Sequence, residues 1–179
     1  MPTDEDLALG VQQGNKTDLA VLVKRHHSSL LGYLYRMTGG DRALAEDLVQ
    51  EAFLRVLRSI GQYRHPRPFK SWLYAIATNL ARDHYKRAET RYAADAQLDK
   101  EMTCGPDARP EDRLVADQEA QQVAAAVMAL PVHQREALIL RYYQALSLAE
   151  IATTLGVPVG TVKSRIHLAL QRLRTLLDR

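Results

Sequence analysis

Four side chains suited to holding a nucleic-acid strand stand on a helix that the apolar periodicity predicts over about 71–88. They follow i, i+3, i+4 and i+7 spacing, which places them on one stripe of the helix: Asn79, Arg82, Asp83 and Lys86. An amide, two cations and a carboxylate can contact both phosphates and base edges. The stripe therefore predicts binding of nucleic acid. The alternative for Asp83 is an ordinary surface ion pair with Arg87.

The segment before this helix, 61–69, is short and basic, and its two prolines block helix continuation. Several of its side chains, and the lysine after it, could stack on or hydrogen-bond an unstacked base: Tyr63, Arg64, His65, Arg67, Phe69 and Lys70. The aromatic rings of Tyr63, Phe69 and Trp72 could instead fill the small core beneath the loop. For Trp72 we favour the core.

A second candidate binding site lies near the C-terminus, where a turn separates two helices. Ser147 and Glu150 have capping-box spacing, so a helix is predicted to begin at Leu148. It stops at the turn 156–158, and the next helix begins near Gly160. Early residues of that helix could face base edges in the major groove: Lys163, Ser164 and His167, with Arg165 and Leu168 at the edges. An ordinary helical hairpin with a solvated polar face is the alternative.

Apolar periodicity is helical almost throughout the chain, which predicts an all-α fold. The clearest helix spans 41–60, and another spans about 19–37 and is closed by Gly39-Gly40. Helical spacing also places three leucines at expected core positions: Leu57 in the helix over 41–60, and Leu170 and Leu177 in the last helix.

Charge and helix breakers divide the chain into two parts. Segment 64–91 holds seven basic and two acidic residues, and segment 158–179 holds five and one. Between them, 95–119 holds three basic and eight acidic residues and is interrupted by Gly and Pro. We predict two small helical domains, a bundle over 1–91 and a helix-turn-helix domain over 114–179, joined by a flexible acidic linker over 92–113. Basic blocks fit phosphate contacts but are equally common as solvated faces.

Catalysis and membrane insertion find little support in the sequence. Cys104 is the only cysteine, the adjacent His26-His27 project to different sides of a helix, and Asp83-His84 lacks a third metal ligand. No stretch approaches the roughly 18 apolar residues of a membrane span, and the N-terminus is acidic where a secretory signal is basic. We therefore expect a cytoplasmic protein that is not an enzyme and needs no cofactor.

The C-terminal half resembles the helix-turn-helix domain of extracytoplasmic-function (ECF) sigma factors. The resemblance rests on these runs: Leu130-Pro131, Arg135-Glu136-Ala137, Leu140-Arg141, Leu148-Ala-Glu-Ile-Ala152, Leu155-Gly156, Gly160-Thr-Val-Lys-Ser-Arg165 and Leu173-Arg174. Response regulators carry related domains, so this half alone does not decide the function. A stand-alone helix-turn-helix regulator that binds palindromic DNA as a dimer is the alternative. It leaves the first domain unexplained.

The N-terminal half, over about 4–91, resembles the other domain of the same family. The matching runs are Asp47-Leu-Val-Gln-Glu-Ala-Phe53 and the segment from Phe69-Lys-Ser-Trp72 to Asp83-His-Tyr-Lys-Arg87. In the family this loop and helix bind the non-template strand of the −10 element, and the loop captures an unstacked base. The resemblance thus assigns −10 binding to the six loop residues, the four stripe residues and Arg87.

The resemblance also implies two further contact sets. The charged face of the helix over 41–60 would dock on the largest subunit of RNA polymerase: Asp47, Gln50, Glu51, Arg55 and Arg58. The −35 duplex would be contacted by the C-terminal domain: Arg141, Thr161, Lys163, Ser164, Arg165, His167 and Leu168. Some members carry Arg where this chain has Leu168, so an apolar contact to a thymine methyl could replace a polar one there.

The function that the resemblance implies is that of a sigma factor, which directs bacterial RNA polymerase to promoters by recognising the −35 duplex and capturing the −10 strand. The implied partners are the polymerase core enzyme, promoter DNA and an anti-sigma factor. No insertion into a membrane is expected.

Overall fold

The structure, a computed structural model, describes residues 1–95 and 118–178 of the 179-residue chain. Within these ranges the regular elements are all helical, which confirms the all-α fold. They are α1 (Asp4–Gln12), α2 (Lys16–Met37), α3 (Arg42–Ser59), a 3-10 turn (Ile60–Gln62), α4 (Phe69–Asp95), α5 (Gln118–Met128), α6 (Val132–Tyr142), α7 (Leu148–Leu155) and α8 (Val159–Leu177).

Helices α1 to α4 form an N-terminal bundle around an apolar core. The largest fully buried side chains there include Tyr33 on α2 and Phe69 and Tyr74 on α4. The Tyr33 hydroxyl and Thr78 Oγ1 lie 2.8 Å apart, and the Thr78 hydroxyl donates to the Tyr74 carbonyl. Burial raises the pKa of Tyr33, so its hydroxyl stays neutral. This satisfied polar pair fixes the register of α2 against α4.

The end of α2 and the start of α3 follow the local rules of helix termination. Gly39 and Gly40 have φ values of 68° and 91°, which an L side chain adopts only with strain. Asp41 then caps α3, because its carboxylate accepts from the Leu44 amide at 3.0 Å. The end of α2 near Met37, predicted from the glycine pair, is confirmed.

Helices α5 to α8 form a C-terminal bundle whose core includes Ile139, Leu140, Ile151 and Val162. Buried Arg135 on α6 donates from Nη2 to the carbonyls of Met128 and Leu130 at 2.8 and 3.0 Å. These carbonyls lie at the C-terminus of α5, which has no further intrahelical donors for them. Arg135 therefore ties the end of α5 to α6, although burial lowers the pKa of its guanidinium.

The turn between α7 and α8 has the geometry that the sequence predicts. Ser147 caps α7 in a reciprocal box: Glu150 N donates to Ser147 Oγ at 3.2 Å, and Ser147 N donates to Glu150 Oε2 at 2.7 Å. Gly156 ends α7 with a φ of 65°, and α8 begins at Val159 directly after Pro158. The two helices and their short turn form a helix-turn-helix.

Replacing Glu150 by glutamine should destabilise the C-terminal bundle by about 0.5 kcal/mol at pH 7, because a carboxylate at a helix N-terminus interacts favourably with the helix dipole. Hydrogen bonds from the Ser147 amide and hydroxyl lower the pKa of Glu150 below its usual 4.5. A lowered pKa contributes stability that is present above 4.5 and is lost as the pH falls through the lowered value. Urea unfolding at pH 7 and pH 3 checks this, and a pH-independent difference between the two proteins would contradict it.

Two expectations about helix extent and burial are wrong. Helix α4 starts at Phe69 and continues to Asp95, beyond the end expected near Ala88. Leu57, Leu170 and Leu177 are exposed and do not reach the core. Neighbouring helices cover only one stripe of α3 and of α8, so outer apolar positions on the same helix stay in solvent.

The predicted linker over 92–113 lies largely outside the described residues, as does Cys104. None of the described helices is both long and apolar enough to cross a membrane.

Candidate nucleic-acid and protein interfaces

The loop between α3 and α4 places its aromatic side chains inward. Tyr63 and Phe69 are buried, with ring centroids 6.0 Å apart, and Trp72 packs on Tyr63 with centroids 5.2 Å apart. The Tyr63 hydroxyl donates to the Arg67 carbonyl, and burial raises its pKa to about 12. The three rings fill the core beneath the loop, as expected for Trp72 and as the alternative to base stacking for Tyr63 and Phe69. In this structure Tyr63 and Phe69 do not present their faces to a base.

The polar side chains of the loop face outward. Arg64, His65 and Arg67 are exposed and surround the proline turn. Lys70, the second residue of α4, is half-buried and donates from Nζ to the Gln144 carbonyl at 3.5 Å. The loop thus presents two guanidinium groups and an imidazole above an aromatic floor, an arrangement that can bind phosphates and the edges of bases.

The stripe on α4 is exposed at every position except Arg82. Asn79, Asp83 and Lys86 are exposed, as is Arg87. No ion pair joins Asp83 to Arg87 in the described part of the chain, so the surface-pair alternative for Asp83 does not occur in this structure. The expectation of a fully exposed stripe is wrong for Arg82 because the C-terminal bundle covers it.

Arg82 forms a bidentate ion pair with Glu136 on α6 of the other bundle. Its Nε and Nη2 donate to the two carboxylate oxygens at 2.6 and 2.5 Å, the parallel geometry that suits a guanidinium. The Glu136 side chain is 0% exposed and that of Arg82 is 24% exposed. The hydrogen bonds to Glu136 raise the pKa of Arg82, so the cation stays charged. A buried carboxylate without such a partner would cost several kcal/mol.

Further contacts between the bundles surround this ion pair. The Tyr74 hydroxyl donates to Gln144 Oε1 at 2.8 Å, and the Arg36 guanidinium lies 4.1 Å from the centroid of the Tyr143 ring. Helices α4 and α7 pack against each other, as do α2 and α6. Because Arg82 and Lys70 belong to the candidate strand-binding set, the C-terminal bundle occupies part of that surface.

The helix-turn-helix exposes the first turns of α8. Lys163, Ser164 and His167 are exposed, and Leu168 has 44% of its surface exposed. The Ser164 hydroxyl donates to the Gly160 carbonyl within its own helix. These residues form a polar face with one apolar position, which matches what a major groove can read, including a thymine methyl group.

The other predicted −35 residues are partly buried or hydrogen-bonded within the C-terminal bundle. Thr161 and Arg165 are half-buried, and Arg165 Nη1 has no hydrogen-bond partner among the described residues. Arg141 is exposed, and its Nη1 donates to the Leu146 carbonyl at 2.9 Å just before α7. Arg141 therefore lies at the start of the helix-turn-helix, where a cation can contact a phosphate.

The charged face of α3 is exposed and also carries leucine. Asp47, Gln50, Arg55 and Arg58 are exposed, while Glu51 is half-buried and pairs with Arg58 at 3.4 Å. Exposed apolar side chains lie among these groups: Leu54 and Leu57, with 46% and 48% of their surface in solvent. An apolar centre with a charged rim is typical of a surface that binds another protein.

A groove between α3 and α4 joins the two candidate surfaces of the N-terminal bundle. Glu51 and Arg55 of the α3 face line it together with Asp83 and Arg87 of α4. The predicted protein-binding and strand-binding sets are therefore contiguous and lie on neighbouring helices.

The sequence analysis did not assign several of these interface residues, among them Leu54, Glu136 and Gln144. Leu54 stands seven residues after Asp47, so helical spacing could have placed it on the charged face. Glu136 and Gln144 contact residues more than 50 positions away, and no local pattern indicates such partners.

These features define a class of protein. A helical bundle whose segment 64–91 is basic and carries a stripe of amide, carboxylate and cationic side chains is joined in one chain to a helix-turn-helix, which indicates a DNA-binding protein with two distinct binding modules. Within residues 1–95 and 118–178, no cluster of His, Cys, Asp or Glu is arranged to hold a metal ion.

Comparison with known proteins identifies the family. The model of sigma-70 region 2 matches residues 22–91, and the model of sigma-70 region 4 matches residues 120–173. The chain is 33% identical to the ECF RNA polymerase sigma factor SigW of Bacillus subtilis, over 92% of this chain and 91% of that protein. It is 35% identical to the RNA polymerase sigma-H factor of Pseudomonas aeruginosa, over 95% and 91% of the two chains.

A solved structure has a similar arrangement of helices along the whole chain. CnrH, in a complex with the cytosolic domain of CnrY, matches with a TM-score of 0.74 and 28% identity, over 98% of this chain and 97% of that chain. The sigma factor RpoE of Bartonella quintana, in a complex with the anti-sigma factor NepR, shares the fold with a TM-score of 0.71 and 24% identity. The match covers 90% of this chain and 97% of that chain.

The chain belongs to the ECF sigma factors of the sigma-70 family. It functions as a sigma factor in transcription initiation and not as a stand-alone regulator, because both sigma modules are present in the family's order. The family consists of non-catalytic initiation factors.

Proposed function

We propose that this chain binds the core enzyme of bacterial RNA polymerase in the cytoplasm and directs it to promoters without performing chemistry itself. The domain over 1–91 would bind core and the −10 strand, and the domain over 114–179 would bind the −35 duplex, with 92–113 as the connection. The observation that carries this assignment is the presence of the strand-suited α4 stripe and the helix-turn-helix in one chain.

Strand binding at the −10 element would use the outward side chains of the loop and α4. Arg64, His65 and Arg67 would hold the captured base and its phosphates, while Asn79 and Asp83 would contact base edges. Lys70, Lys86 and Arg87 would contact phosphates, and Arg82 would join them once it is free of Glu136. Tyr63 and Phe69 would support the loop from beneath, and direct stacking on a base would require them to leave the core.

Duplex binding at the −35 element would use the exposed start of α8. Lys163, Ser164 and His167 would meet base edges, and Leu168 would contact a thymine methyl group. Arg141 and Thr161 would contact phosphates, and Arg165 would reach the backbone with its guanidinium, whose Nη1 has no hydrogen-bond partner among the described residues. Phosphate contacts would supply most of the affinity, so binding should weaken as salt rises.

Core enzyme would bind the α3 face. The charged and amide groups from Asp47 to Arg58 would form the rim, and Leu54 with Leu57 would supply the buried centre. Because the groove that contains Glu51 and Arg55 continues to Asp83 and Arg87, a polymerase subunit bound there would lie beside the captured strand.

The closed arrangement implies a requirement for promoter binding. Arg82 contacts a strand only after the Arg82–Glu136 pair separates, and Lys70 is freed by the same movement. CnrH and RpoE were each solved in a complex with a second protein, which for RpoE is an anti-sigma factor. An anti-sigma factor for this chain would inhibit it if it stabilised the two bundles in the closed arrangement.

Reconstitution of transcription tests the proposed function. Purified chain is mixed with bacterial core polymerase, and promoter DNA that this holoenzyme binds is selected from a random pool. We expect the chain to co-elute with core and to start transcripts at fixed distances from the selected sequences. A chain that fails to bind core or to start transcripts would contradict the proposal.

Two substitutions should separate the functions of the N-terminal bundle. Asn79→Ala should impair promoter opening with core binding intact, because Asn79 is exposed on the strand-binding stripe. Glu51→Arg should impair core binding and, once core is saturated, affect promoter opening much less than Asn79→Ala does. Loss of core binding in Asn79→Ala would contradict the site assignment, and the measurements are core affinity and permanganate footprinting of the −10 region.

A further inference from the structure

Helix α1 contacts the loop between α3 and α4 through its polar side chains. Gln12, its last residue, donates from Nε2 to the carbonyls of Ile60 and Tyr63 at 2.8 and 2.7 Å. These two carbonyls bracket the start of the loop. One amide group therefore fixes the point at which the chain leaves the 3-10 turn and enters the loop.

The other end of the loop is held by the first turn of α1. Glu5 Oε1 accepts from the Phe69 amide at 3.1 Å, at the N-terminus of α4, where unpaired amides and the helix dipole favour a carboxylate. Asp6 Oδ1 lies 3.6 Å from Nε2 of His65, an exposed side chain at the loop tip. Both ends and the tip of the loop thus meet side chains of a single helix.

Helix α1 is itself firmly attached to the bundle. Leu7, Ala8 and Val11 are buried in the core. Asp4 pairs with Arg25 at 2.9 Å and with His26 at 2.7 Å, which joins α1 to α2. The His26 ring in turn packs on Phe69, with centroids 5.7 Å apart. A helix anchored in this way can hold a loop rigidly, whereas a frayed terminus could not.

We infer that α1 positions the loop for base capture, with Gln12 and Glu5 as positioning residues for Arg64, His65 and Arg67. The inference rests on the proposed −10 function of the loop. Inside the loop, the Arg67 amide donates to the Arg64 carbonyl and the Tyr63 hydroxyl donates to the Arg67 carbonyl. The capture side chains are exposed, so the orientation of the loop on the bundle depends largely on the bonds that α1 makes at its two ends. Binding by a preorganised loop avoids the entropy cost of ordering it during capture.

The test uses the full chain in the holoenzyme and a −10 strand selected by the unaltered holoenzyme. Gln12→Met keeps the length of the side chain and removes the donor. We expect strand affinity to fall about tenfold, since one or two hydrogen bonds that order the loop are lost. Fluorescence of 2-aminopurine at the captured base, which reports unstacking, should fall at saturating strand.

Base selectivity separates positioning from a general loss of folded protein. The ratio of affinities for the selected strand and for a strand altered at the captured base should fall in Gln12→Met. A smaller fraction of folded protein would leave that ratio unchanged. Gln13→Met is the matched control, because Gln13 is the exposed neighbour at the same helix end, and it should behave as the unaltered chain.

Other outcomes are equally decisive. If the unaltered holoenzyme selects no strand, the proposed function fails. If it selects one and Gln12→Met keeps its affinity and selectivity, or Gln13→Met loses them equally, the role of α1 is contradicted and the proposed function stands. Should Gln12→Met not fold, Glu5→Gln replaces it, with the same loss of selectivity expected because the charge at the start of α4 is removed.

Discussion

Arg82→Ala is expected to separate the two bundles of the free chain. The substitution leaves Glu136 as a buried carboxylate without its cation. Removing one partner of a buried ion pair destabilises the folded arrangement by about 3–5 kcal/mol. Separation of the bundles hydrates Glu136 and removes that penalty, whereas each bundle keeps its own core. Small-angle scattering should show a larger radius of gyration, with the helical content unchanged by circular dichroism.

Glu136→Gln provides the complementary measurement. It removes the ion pair, because the carboxylate charge is lost, but it leaves Arg82 available to a strand. The affinity of the free chain for a selected −10 strand should rise about tenfold or more, since the binding-competent open state becomes more populated. Arg82→Ala opens the chain as well but lacks the cation, so it should gain less affinity than Glu136→Gln.

Lys86→Ala is the matched control for the Arg82 substitution. Lys86 is an exposed cation on the same stripe of α4, one turn after Arg82. Its loss should weaken strand binding through a missing phosphate contact and leave the radius of gyration unchanged. An unchanged radius of gyration in Arg82→Ala would show that the ion pair does not hold the bundles together.

Leu54→Arg is expected to reduce the affinity for core polymerase at least about 30-fold. Leu54 lies among the charged residues of the α3 face, where we expect it to act as a hot spot. Loss of a hot-spot residue costs about 2 kcal/mol or more, which corresponds to about a 30-fold loss of affinity. With 46% of its surface exposed, the side chain contributes little to the core of the bundle. The thermal midpoint should therefore shift little.

Leu170→Arg tests whether any exposed leucine would have the same effect. Leu170 lies on α8 in the C-terminal bundle and is 43% exposed, nearly as much as Leu54. Core affinity, measured by fluorescence anisotropy of the labelled chain, should change much less in this variant. Equal losses in both variants, or no loss in Leu54→Arg, would remove α3 from the core-binding surface.

Much of the local structure could be predicted from the sequence because it depends on neighbours within one helical turn. The capping box of Ser147 and Glu150, the left-handed Gly156 and the glycine pair at 39–40 all have the geometry that their residue types predict. The helix-turn-helix and the all-α fold follow from these signals together with apolar periodicity. The prediction that the four stripe residues share one face of α4 likewise agrees with the structure.

The tertiary structure decided which parts of those faces meet solvent. The helical spacing predicts that Arg82 shares a face of α4 with Asn79. The burial of Arg82, however, depends on Glu136, which lies 54 residues further along the chain. The inward position of Tyr63 likewise depends on its packing against two other rings. It also depends on α1, where Gln12, 51 residues earlier in the chain, donates to the Tyr63 carbonyl. Spacing along a helix fixes directions, whereas burial and pairing are set by elements distant in sequence, and here they decide which binding residues are free.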